Sequence, residues 1–181
     1  MNNYLLTFLL FIYYCANLSG QLYRGEKCTV SFRSDAPLEL IEADSRRLRC
    51  AIDTEARVFA FRVKINSFEG FNGSLQREHF NENYLESSTY PEATFKGAII
   101  ERIDLSEAGE YTVRAKGTLI VHGIAQERII KSTVRSDGER LEVRSNFTIP
   151  LEDHGIEVPR IVNQKIASDI EVSVVADLAV Q

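Results

Sequence analysis

The sequence lacks almost every short pattern that carries chemistry. There is no HExxH, no CxxC, no GxSxG elbow and no glycine-rich phosphate loop, so zinc hydrolase, serine hydrolase and nucleotide-binding readings have nothing to rest on. There is no tryptophan, and the three histidines, His79, His122 and His154, stand far apart. Positive charge is also in deficit: 21 Lys and Arg against 26 Asp and Glu leave a net charge of -5. Nothing offsets phosphate repulsion, which excludes nonspecific binding to nucleic acid or an anionic membrane surface. No internal repeat, low-complexity tract or domain linker interrupts the 181 residues. What remains, 44% apolar and 26% charged, is the composition of one ordinary globular domain with a sizeable core.

The longest apolar run, Tyr4–Cys15, is about a dozen residues. That is short for a bilayer span and suits the apolar centre of a secretory signal. Small residues follow at Ala16, Ser19 and Gly20, and the first charged side chain is Arg24. We read residues 1–20 as a signal peptide and 21–181 as the domain, which places the protein in the periplasm or outside the cell. Met1–Asn3 supply no Lys or Arg, so a buried first strand or an uncut hydrophobic anchor is the competing account. Cys15 goes with the signal, with lipidation at that position left open. Cys28 and Cys50 then form an even pair in an oxidising compartment. They read as a disulfide, with two buried thiols as the alternative.

Period-two alternation dominates the rest. The runs are 28–33, 38–43, 48–53, 57–65, 93–103, 111–123, 127–135, 140–149 and 169–180, rich in β-branched and aromatic residues and separated by turn-forming pieces. Hairpin turns are expected at Asp137-Gly138 and across Gly123–Gln126. About nine short strands at this spacing predict an all-β, antiparallel sandwich or barrel, and the meander order favours closure. The face carrying Val113, Ala115, Gly117, Leu119 and Val121 suits a cavity wall, or else a packed core in which Gly117 relieves a bend.

One segment has helical periodicity, Ser74–Ser88, with Ser74 as the expected cap and Leu75, His79, Phe80, Asn83 and Tyr84 on one face. Glu78, His79 and Glu82 form no complete ligand set, so no metal or cofactor is expected and no signal supports an enzyme. Asn17, Asn72 and Asn146 open three-residue glycosylation patterns, a weak signal alone. Residues 150–165, with two prolines and no steady period, read as a loop with one turn.

The block 67–97, SFEGFNGSLQREHFNENYLESSTYPEATFKG, is similar to the YceI-like family of secreted bacterial lipid-binding proteins. The matching pieces are Arg77 with Glu78-His79, Tyr90-Pro91, Ala93-Thr94-Phe95, Leu119–Gly123, Asp153–Ile156 and the closing strand from Asp169. They run in the family's order over roughly 57–178, with His154 where the family has a bulky aromatic. The resemblance implies an antiparallel, lipocalin-like β-barrel of about eight strands with one short helix, enclosing a long apolar chain with its polar head near the mouth. The implied partner is an amphiphilic lipid, isoprenoid, quinone or fatty-acid derivative; a homodimer is left open. Phe59, Phe61, Phe95, Val113, Leu119 and Val121 are the expected liners, with Phe71, Phe80 and Tyr84 as a roof and Arg77 and His79 as head-group contacts. A filled barrel that recognises a protein or polysaccharide is the alternative.

Overall fold

The computed structural model describes residues 21–181; the expected signal segment, Cys15 and Asn17 lie outside the described residues. Nine antiparallel strands run in chain order: β1 (Leu22–Asp35), β2 (Leu40–Ser45), β3 (Arg49–Asp53), β4 (Val58–Lys64), β5 (Glu92–Ile99), β6 (Gly109–Val121), β7 (Ile124–Ser136), β8 (Arg140–Pro150) and β9 (Asp169–Val180). Each strand from β3 onward pairs with its successor, and β9 returns to β1, so the sheet closes. β2 and β3 share one edge of β1 in a single register: Val30 faces Ser45 and Leu22 faces Asp53. The pair therefore fills one position in the circuit, and the barrel is eight-stranded. Closure removes the sheet edges that an open meander would expose, apart from the outer edge of β2, which is met by the Asp44–Glu69 bridge.

Inward and outward residues alternate along each strand, as a barrel requires. Two local devices break the simple pattern. On β1 the register with β9 shifts between Gly25 and Lys27. That bulge lets Tyr23 and Cys28, five residues apart, both become buried. Between β5 and β6, Gly97 lies directly opposite Gly117. A Cβ on either would enter the backbone of Lys116 or Lys96. Gly117 thus allows two strands to close up, and adds nothing to the cavity wall.

The β6–β7 hairpin is tighter than the expected Gly123–Gln126 loop. Val121 already pairs with Ile124, and His122 and Gly123 take φ of 50° and 73°, the two-residue turn whose twist matches paired strands. The helical segment also divides. An α-helix α1 (Ser74–His79) continues into a π-turn at Phe80–Tyr84. Ser74 is the first helical residue, with Gly73 at the cap position and no side-chain cap. Residues 150–165 carry two short 3-10 turns, at Glu152–His154 and Arg160–Val162. Among the described residues no helix is long and apolar enough to cross a membrane.

One end of the barrel is packed solid. Tyr23, Leu141, Leu178 and Ala176 are fully buried there, and the Tyr23 hydroxyl donates to the Gly138 carbonyl at 2.8 Å. A second cluster, Ile65, Leu85, Leu119, Val121, Leu151 and Ile156, seats the helix and the 151–156 turn against the other end. The space between them is the candidate site.

Candidate functional site: a cavity inside the barrel

Above the packed floor the barrel is hollow. A cavity of about 650 Å³ is lined by Val30, Phe32, Ile52, Phe59, Phe61, Phe95, Val113, Ala115, Leu119, Val121, Phe147 and Val174, among others. That volume is within the range of small-molecule sites. The walls come from alternate residues of the long strands, which is why one apolar face per strand produces one apolar chamber.

Aromatic rings close one side. Phe32 of β1 stacks on Phe80 with ring centroids 5.3 Å apart, and Phe68 and Phe71, from the segment after β4, pack on the same two rings. Across the chamber Phe59 meets Phe95 at 4.8 Å and Phe61 at 6.1 Å. Such offset and tilted pairs suit the ring quadrupoles. They also hold α1 over the barrel without a covalent tie.

The mouth lies where solvent-exposed residues join the lining: Asn72, Gly73, Leu75 and His79 beside α1, and Lys165 in the 160–166 turn. Three segments are tied together around it. The Gln76 amide donates to Glu39 Oε1 at 2.9 Å, the Asn72 amide donates to the Leu40 carbonyl at 2.9 Å, and Leu38 N donates to the Gln164 carbonyl at 2.8 Å. Tyr84, also in the lining, has its phenol pushed above the ordinary range by burial.

Of the side chains expected from the sequence, Phe59, Phe61, Phe71, His79, Phe80, Tyr84, Phe95, Val113, Leu119 and Val121 all line the cavity. Arg77 is outside the lining. It sits on the opposite face of α1, exposed, and its guanidinium donates to the Asn66 carbonyl at 3.2 Å. A head-group contact by Arg77 is therefore not built into this geometry. Phe32, Phe68 and Phe147 were not among the expected liners. Phe32 and Phe147 follow from alternation along β1 and β8; Phe68 sits outside any strand and carries no such signal.

The short motifs turn out to form a clasp on the outside of the cavity. His122 Nδ1 lies 3.1 Å from the His154 carbonyl, and His154 Nδ1 lies 3.1 Å from the Ile124 carbonyl. Both rings therefore carry the proton on Nδ1 and donate it. Tyr90 packs edge-on against His122 at 4.6 Å, and a side chain at Gly123 would meet the Tyr90 ring. Neither histidine lines the cavity. Among the described residues no group of three or more His, Cys, Asp or Glu could hold a metal ion.

Cys28 and Cys50 are both buried, free thiols with sulfurs 2.8 Å apart. The hydrogen bond between them holds the Cys28 thiol below its usual range and pushes Cys50 up, where burial adds to the rise.

A closed antiparallel barrel with a solid floor and a hollow apolar upper half defines a small-molecule-binding class. The chain belongs to the YceI-like domain family, which matches residues 28–178. It is similar in fold to a polyisoprenoid-binding domain from Saccharophagus degradans implicated in plant cell wall breakdown, at 19% identity and TM-score 0.75 over 88% of this chain and 98% of that one. Burkholderia cenocepacia BcnA is similar at 16% identity and TM-score 0.69, over 83% and 95% of the two chains. A Campylobacter jejuni YceI protein variant is similar at 16% identity and TM-score 0.56, over 92% and 86%. No curated protein sequence matches.

Proposed function

We propose that this protein binds one amphiphilic lipid, an isoprenoid, quinone or fatty-acid derivative, inside the barrel and acts as a secreted or periplasmic carrier or scavenger without turning it over. The observation that carries this is the roughly 650 Å³ apolar chamber with a polar-rimmed mouth. A filled interaction module would have spent that volume on side chains. Support also comes from the polyisoprenoid binding of the Saccharophagus domain that shares the fold. Energetically the site suffices: each buried methylene is worth roughly 0.8 kcal/mol, so ten carbons supply about 8 kcal/mol before the costs of association.

The test is native mass spectrometry of the chain exported to a bacterial periplasm, followed by organic extraction. A stoichiometric added mass that extracts as one lipid class is the expected result. A clean apo mass that takes up neither quinones nor fatty acids overturns the reading.

A further inference from the structure

Below the mouth, whose lining includes Ser34, Glu39, Arg62, Thr94 and Lys165, the chamber wall is apolar down to the floor except at one level. Register places Val113, Ser132, Ser145, Val174 and Val30 side by side around the wall. The two serines are buried, line the cavity, and touch each other, with Oγ atoms 2.6 Å apart. Directly beneath them Val134 and Val143 begin the floor.

Two hydroxyls own two protons and four lone pairs, and their mutual bond consumes one proton. The other finds no acceptor among the described residues. Of the three other buried serines among the described residues, Ser34 lies at the mouth end, where it accepts from Ala167 N at 2.9 Å, and Ser45 and Ser136 have their protons placed. Ser45 bonds Ser67, whose hydroxyl passes its proton to the Lys64 carbonyl, and Ser136 donates to the Leu105 carbonyl. Among the described buried serines, the Ser132–Ser145 pair is the one set in the apolar wall just above the floor. A donor left there unpaired carries a desolvation cost that a ligand acceptor would remove.

We propose that Ser132 and Ser145 form a subsite for a neutral carbonyl oxygen on the inner end of the bound lipid. This rests on the lipid-binding reading above and sharpens it. The group is neutral because valines surround the pair and no cation stands in the same row, so an ionised carboxylate would lie buried without a counter-charge. The orientation reverses the one the family resemblance implies: the oxygenated end enters first and the chain runs up toward the mouth. From Val113 to Val121 the wall rises eight residues, about 26 Å along the strand, which leaves room above the carbonyl for a long chain.

The test compares 2-heptadecanone with heptadecane, matched in length and delivered from cyclodextrin, on the full chain. Wild type is expected to bind the ketone about tenfold more tightly, the worth of one net hydrogen bond. The double variant Ser132→Ala/Ser145→Ala removes both partners, so folding should hold. It is expected to lose the preference while binding the alkane as before. Ser145→Thr, which keeps a hydroxyl, should retain the preference and covers the case in which the double variant folds poorly. Equal wild-type affinities for the two probes, or a preference that survives the double substitution, overturns the subsite alone. Binding of neither probe by wild type overturns the lipid-binding reading and the subsite with it.

Discussion

The sulfurs of Cys28 and Cys50 lie 2.8 Å apart over the bare Cα of Gly25. The bulge in β1 creates this arrangement, because it rotates Cys28 inward toward β3, and a Cβ at position 25 would strike both sulfurs. Thiols this close and this buried are positioned to bridge once an oxidant reaches them. Treatment with oxidised glutathione should transfer two electrons and two protons from the pair, lowering the intact mass by two hydrogens and leaving no alkylatable thiol at 28 or 50. The loop closed is short, so stabilisation of about 3 kcal/mol is expected. Two alkylated cysteines after oxidation and unfolding would show that the pair stays reduced.

The Gly97–Gly117 contact predicts a different kind of sensitivity. Alanine at either position must displace the backbone of the facing strand, since the collision is with main-chain atoms that no rotamer can relieve. Gly117→Ala should destabilise by about 3 kcal/mol or more. Denaturant midpoints read the loss, and a change under about 1 kcal/mol would mean that the strands can separate freely there.

Much of this fold is legible in the sequence because alternation survives in eight of nine strands. The exception is instructive. Leu22–Lys27 shows no alternation, since the bulge flips the face between Tyr23 and Cys28, and the expected first strand therefore begins only at Cys28. The site is legible where strand parity decides it, as at Phe59, Phe61, Val113 and Leu119. It is also legible on α1, where the periodicity that groups Leu75, His79 and Phe80 already leaves Arg77 on the other face; the family resemblance made Arg77 a candidate. The serines were readable too, Ser132 standing between Ile130 and Val134 and Ser145 between Val143 and Phe147 on the inward parity of their strands. Phe68 was not, because contacts made by a segment between strands depend on tertiary packing that no local period encodes.

The His122–His154 clasp should matter for stability and not for uptake. His154→Phe keeps a flat ring, slightly larger, and removes the side-chain donor to the Ile124 carbonyl, at a cost of about 1–3 kcal/mol. Ligand affinity measured by native mass spectrometry should match wild type, because the ring is outside the chamber. Loss of uptake in a folded His154→Phe protein would move the histidine into the binding site.

The 137–140 turn contributes to the acid limb of stability. Asp137 Oδ1 accepts the Arg140 and Glu139 amides at 2.7 and 3.0 Å, and these bonds hold its carboxyl below the ordinary range. A depressed folded-state pKa contributes stability that is present above the unfolded value, about 3.9, and is lost as pH falls through the lower folded one. Asp137→Ala should therefore be less stable than wild type at pH 7, with the gap narrowing steadily below about pH 4. A gap that stays constant across this range would show that the ionised form is not what the turn uses.

Ala115 offers the sharpest separation between a hollow barrel and a packed one. It lies between Ile99 and Ile130 in register and lines the chamber. In a filled core, Ala115→Phe would overpack and cost about 1–3 kcal/mol. Here the added ring has open volume in front of it and other phenylalanines to pack on, so the denaturation midpoint should hold or rise. The same ring takes up space the lipid needs, one level above Ser132 and Ser145, and should cut uptake of long-chain ligands at least tenfold. Stability falling together with uptake would mean the chamber is too small for the role. Stability held with uptake unchanged would place the ligand elsewhere on the molecule.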